Sequence, residues 1–178
     1  DVTFNVGTDS VSVVETSTSA SNAWSFDGSN DYVQATFPAD QFDNGACISA
    51  WINPNSDGES NNGAIIQKGT DWAFRMIDTD DIEYLHGFTN ADGKWKTTGN
   101  DITLNTWNHV VTCYTSSGAS PDATFFVNGV SKTATESSTP NGSPTGVSSD
   151  IYIGNRAQND YTFDGEIDEL VFYDKILT

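Results

Sequence analysis

The chain has 178 residues, 36% of them hydrophobic, with 25 acidic side chains against seven basic ones and a formal net charge of −18. That length suits one domain able to bury a core without metal or disulfide staples, and the charge excludes nucleic acid, whose phosphates it would repel. No apolar run reaches the roughly 18 residues of a membrane-crossing helix, while so acidic a surface stays soluble where salt screens its self-repulsion.

Helical periodicity is almost absent. Short runs rich in Val, Ile, Tyr, Phe, Trp and Thr alternate with clusters of Gly, Asn, Asp and Ser, which predicts an all-β sandwich. In chain order the expected strands are 2–6, 23–26, 32–35, 46–52, 64–68, 72–77, 81–89, 94–98, 108–114, 123–127, 151–153 and 166–173. Asn128-Gly129 between Phe125-Phe126-Val127 and Val130 signals a hairpin, because a type I′ turn needs positive φ at both central residues. Loops are expected over 53–63, 116–122 and 133–149. No internal repeat or boundary is visible, so 1–178 reads as one domain. Its ends look like cuts from a larger, multidomain extracellular protein.

Alternation assigns faces. In 47–52, Ile48, Ala50 and Ile52 share one side, while Cys47, Ser49 and Trp51 share the other. In the closing run, Ile167, Glu169, Val171 and Tyr173 oppose Asp168, Leu170 and Phe172. Apolar groups on both faces predict a central strand covered on both sides, which would put Asp168 near the core. A charge there is tolerable only if paired or metal-bound.

Several segments in fixed order carry a resemblance. They are Phe26-Asp27-Gly28-Ser29-Asn30-Asp31-Tyr32-Val33, then Ile48-Ser49-Ala50-Trp51-Ile52-Asn53-Pro54, then Gln67-Lys68-Gly69. Trp107-Asn108-His109-Val110-Val111-Thr112-Cys113-Tyr114 and Phe126-Val127-Asn128-Gly129 follow, and Gly165-Glu166-Ile167-Asp168-Glu169-Leu170 closes. Over nearly the whole chain this resembles the laminin G-like branch of the concanavalin A-like jelly rolls. The resemblance implies a two-sheet antiparallel jelly-roll sandwich with its first and last strands pinned together.

Pentraxins, relatives of that sandwich, join the two equivalent strands by a disulfide. Here Cys47 sits two positions earlier and Cys113 two positions later than in that pattern. Opposite shifts of two preserve facing side and antiparallel register, so a Cys47–Cys113 bond and an oxidising compartment are expected. Two buried free thiols are the alternative.

Calcium takes oxygens from Asp carboxylates, carbonyls and water, a mixture that Asp/Gly turns supply. Asp27, Gly28 and Asp31 offer such donors, and Asp168 resembles the acid that ties the final strand to the first in calcium-containing relatives. Asp27 and Asn30 acting only as turn-formers is the competing account. For a ligand, Trp72, Arg75, Tyr84, His86 and Trp95 fall in one stretch of β structure and join aromatic faces to polar groups. Core packing accounts equally for Trp72 and Trp95, and Trp24, Trp51 and Trp107 look like core positions.

Glu166, Asp168 and Glu169 approach the paired acids of laminarinase-type glycosidases, but the spacing matches only through a bulge, and those enzymes carry their acids mid-chain. A fold does not fix chemistry. The expectation is therefore a non-catalytic carbohydrate-binding or adhesion module with calcium, working outside the cell, on a cell surface or on a virion. A structural or protein–protein interaction domain without glycan binding is the alternative.

Overall fold

A computed structural model describes residues 23–36, 45–115, 122–146 and 149–177. The strand expected over 2–6 and most of the loop expected over 116–122 lie outside them. The strands are β1 (Trp24–Asp27), β2 (Val33–Thr36), β3 (Ala46–Pro54), β4 (Ala64–Lys68), β5 (Trp72–Ile77), β6 (Asp81–His86) and β7 (Gly93–Lys96). After these come β8 (Asn108–Thr115), β9 (Asp122–Val127), β10 (Val130–Lys132), β11 (Thr135–Ser138), β12 (Asp150–Ile153) and β13 (Asp164–Tyr173). One 3-10 turn, Glu59–Asn61, is the helical exception among the described residues.

The strands form two antiparallel sheets. One runs β1-β13-β3-β8-β9-β10, the other β11-β7-β6-β5-β4-β12-β2. This is the expected jelly-roll sandwich, with β1 paired to β13 from Trp24↔Ile167 to Asp27↔Asp164. The hairpin between β9 and β10 turns at Asn128 and Gly129, φ 51° and 75°, as its sequence requires. At Gly154 (φ 76°) an added Cβ would sit 2.0 Å from the Phe26 ring, so only glycine lets this corner close on the core.

The core follows from period-two patterning. Ile48, Ala50 and Ile52 of β3, with Val110 and Phe125, face Phe74, Met76, Ile82, Tyr84 and Trp95 of the other sheet. Tyr114 of β8 stacks on His86 (ring centroids 4.5 Å) and meets Tyr84 (5.2 Å) and Trp95 (5.5 Å), tying the sheets through aromatic contacts. Cys47 and Cys113 are direct cross-strand partners and form the expected disulfide.

Two expectations are corrected. The loop expected over 133–149 contains edge strand β11, which pairs with β7, and isolated bridges Ala91↔Asn141 and Phe88↔Pro144. Polar Ser and Thr hid it, because an edge facing solvent needs no apolar alternation. The closing strand is central, between β1 and β3, yet its outer face is open, with Glu169 and Val171 exposed. Its doubly apolar pattern comes from a register shift between Asp168 and Val171, where Glu169 takes φ 46°. The extra residue turns Ile167 and Leu170 both inward, against strict alternation. Asp168, paired with Trp51 just before the shift, is on the outer, half-buried side and is no buried charge.

Candidate functional site

Opposite the core, the six-stranded sheet carries Cys47, Ser49 and Trp51 along β3. Its central row pairs Asp168 of β13 with Trp51, and Trp51 with His109 of β8. The imidazole of His109 lies 5.2 Å from the Trp51 ring and its Nε2 is 2.8 Å from Ser49 Oγ. The indole is thus held by a neighbour that is itself hydrogen-bonded, at 37% exposure.

Trp107 enters from the turn before β8 and is 38% exposed. Buried Asn108 fixes that turn: its Nδ2 donates to the carbonyls of Thr103 (2.9 Å) and Thr106 (2.7 Å), and its Oδ1 accepts from Thr103 N–H. Asn105, at φ 56°, donates its N–H to Pro54 O at 2.7 Å, docking the turn on the end of β3. Trp51, Trp107, Asp168 and Glu169 together line a surface pocket of about 230 Å³. Glu169 N–H donates to Asp168 Oδ1 at 2.7 Å, so the bulge backbone holds the Asp168 carboxylate at the pocket wall, with exposed Glu169 beside it. A left-handed glutamate is uncommon and costs on the order of 1–3 kcal/mol, a cost that clusters at binding sites.

The residues expected from the sequence to meet a ligand lie elsewhere in the fold. Trp72, Tyr84, His86 and Trp95 are each 1–2% exposed and face the core. Cross-strand pairs Trp72↔His86 and Tyr84↔Trp95 put all four on the inner side of the seven-stranded sheet. Arg75 has the other parity. It lies outside, its Nε bonded to Glu83 Oε1 at 3.0 Å, 5.3 Å from the centre of the Tyr161 ring. Arg156 approaches the same ring to 3.6 Å and is paired with Asp160. The five residues do not meet in one site.

The Trp roles are inverted relative to expectation: Trp51 and Trp107 are the accessible pair. A signal was present in the sequence. The face of β3 holding Ile48, Ala50 and Ile52 is wholly apolar, whereas Ser49 and His109 mark the opposite face as outer.

The calcium quartet divides as well. Asp27 and Asp31 sit at the corner where Asp27 pairs with Asp164, while Asp168 lies four residues further along β13 and pairs with Trp51. At roughly 3.3 Å per strand residue, Asp168 and Asp27 are too far apart to share one ion with ligand distances of about 2.3–2.6 Å. Asp27 Oδ1 accepts from Ser29 N–H (2.9 Å), Asp31 Oδ2 from Asp27 N–H (3.1 Å), and Gly28 N–H donates to Phe163 O (3.1 Å). These are turn-forming bonds. Asp164, the cross-strand partner of Asp27 at the start of the last strand, accepts from Asn55 Nδ2 (3.0 Å) and Ser56 Oγ (2.6 Å) and so ties that strand to the segment following β3. Among the described residues no three His, Cys, Asp or Glu side chains are grouped so as to hold a metal ion. The four residues expected to share one calcium ion therefore do not gather around a single position.

Residues 27–178 match a family model described as the concanavalin A-like lectin/glucanases superfamily. No curated protein is matched. Among solved structures, mouse laminin α1 domains LG4-5 are similar at TM-score 0.60 and 13% identity, over 83% of this chain and 39% of that one. A putative carbohydrate-binding protein from Bacteroides ovatus is similar at TM-score 0.61 and 21% identity, over 88% and 44%. The Ruminococcus gnavus sialidase module CBM40, bound to α2,3-sialyllactose, is similar at 0.59 and 15%, over 76% and 78%. The chain thus spans less than half of the first two structures' length. At these identities the likeness shows the fold.

Proposed function

Since the chain belongs to the concanavalin A-like lectin/glucanase superfamily, we propose that it is a non-catalytic carbohydrate-binding module whose ligand rests on Trp51 and Trp107. The observation that carries this reading is the pairing of two accessible indoles with two carboxylates in one pocket. Sugars stack their apolar C–H faces on rings and donate their hydroxyls to acceptors such as carboxylates. Carbohydrate binding is named for two of the similar structures, which supports the class without identifying the sugar.

Hydrolysis is the weaker reading. The bulge that a laminarinase-type motif would need is present. A general acid, however, depends on a dry, enclosed site to hold its proton near neutrality, and here Glu169 is exposed and both indoles are more than a third exposed. An interaction domain without glycan binding draws on exposed Val171 and Val130 on strands of the same sheet. The disulfide supports an extracellular or surface location, where thiols stay oxidised.

Glycan-array binding with wild type and Trp51→Ala tests the proposal. Signal on defined glycans that vanishes in the variant supports it. A silent array with intact fold favours the interaction domain, and release of reducing sugar would mean hydrolysis.

A further inference from the structure

We infer that the sugar recognised at Trp51 and Trp107 carries a protonated amine, as a deacetylated amino sugar does; this rests on the carbohydrate-binding reading above. Asp168 and Glu169 line the pocket, and neither carboxylate takes part in an ion pair among the described residues. Lys68, Arg75, Lys132 and Arg156 are each committed to other acids. Lys94 and Lys96 lie on β7 in the opposite sheet, and Lys175 follows β13; none lines the pocket.

All four lining residues favour positive charge, with the His109 imidazole packed on Trp51 as the one basic neighbour among the described residues. The faces of the indoles are the negative ends of their quadrupoles and attract ammonium groups, tryptophan most strongly. The two carboxylates add charge-assisted acceptors for an N–H donor, and the chain's −18 sets a background field of the same sign. A sialylated or sulfated glycan would bring its anion against two carboxylates with no lining cation to receive it. A neutral sugar could stack, but it would leave both charges uncompensated. An amino sugar answers the rings through its C–H face and the acids through its ammonium.

The test is calorimetric titration with short β-1,4 oligomers of glucosamine, N-acetylglucosamine and glucose, and with sialyllactose, below and above the pKa of the sugar amine. Expected is about tenfold tighter binding of the glucosamine oligomer below that pKa, the order of one cation–π contact plus one charge-assisted bond. The preference should collapse above the pKa and in Asp168→Asn/Glu169→Gln, both surface changes that leave the melting temperature in place. Trp51→Ala should remove binding of every sugar. Equal, Trp51-dependent affinities for the amine and acetylated oligomers overturn the amine and leave the carbohydrate reading standing. A preference that survives the double variant is attraction to net charge and overturns the inference too. Absence of any Trp51-dependent binding removes both.

Discussion

Trp51 and Asp168 are cross-strand partners on the outer face of the six-stranded sheet. Their pairing joins the least polar and the most polar elements of the pocket, and the wall around it depends on two features of different origin. Trp51 and Asp168 point outward through ordinary alternation, whereas Glu169 joins the same wall only because β13 bulges there. Perturbing the indoles, the bulge or the core therefore has separable effects.

Trp51→Ala and Trp107→Ala should abolish ligand binding while changing stability by less than about 1 kcal/mol, as expected of partly exposed positions. Trp95→Ala should do the reverse, costing about 3–5 kcal/mol by emptying a core site. At roughly 2–4 °C per kcal/mol for a domain of this size, paired thermal melts and array binding separate the two classes. If Trp72 or Trp95 variants lost binding with an unchanged melt, the site assignment would be wrong.

Reduction of Cys47–Cys113 should lower stability by about 4 kcal/mol, the chain-entropy expectation for a closed loop of this span. Melts with and without reductant, repeated on Cys47→Ser/Cys113→Ser, measure it. A reductant effect persisting in the double variant would show that something other than this bond is being reported.

Acid should destabilise the protein through His86. Burial pushes its imidazole down to about 4; Asp92 opposes that shift and Lys68 adds to it. In the unfolded chain the ring takes up its proton near the ordinary pKa of about 6.5. Between those values the unfolded state binds more protons, so stability is present above the window and falls as pH drops through it. The contribution is up to about 3 kcal/mol. His86→Phe should flatten the dependence of the melting temperature between about pH 7 and 5, and an unchanged slope would clear His86 of this role.

At the Asp27 corner, Asp164→Ala should cost about 1–2 kcal/mol by stranding its bonds from Asn55 and Ser56. Asp168→Ala should leave the difference between melts in calcium and in EDTA unchanged, because Asp168 lies along the strand from that corner. A chelator response that Asp168→Ala erases would reunite the quartet and contradict the register.

The sandwich was legible because alternation, Asn-Gly and the order of strand-plus-turn segments are local properties read one strand at a time. The site was less so. Parity told which residues of β3 travel together but left the inward side to be decided by weighing Ile48, Ala50 and Ile52 against Ser49 and its partner His109 across two strands. Trp72 and Trp95 sat beside Arg75 and Tyr84 in sequence, yet a period of two sends Arg75 outward and the aromatics inward. The bulge was hidden more deeply. Glu169 adopts positive φ without the glycine that usually announces it, so every face assigned beyond Asp168 inverted.

The disulfide has a geometric consequence for the pocket. A one-residue slip of β8 against β3 would carry His109 off the face of Trp51, and a two-residue slip would leave the indole without its imidazole neighbour. A covalent peg between Cys47 and Cys113 forbids both, so that wall is indexed like a key on a shaft. The wall bearing Asp168 and Glu169 has no such peg, and its strand has already skipped a tooth against β3. The pocket is therefore indexed covalently on the side of the Trp51 strand and by strand pairing alone on the side of β13.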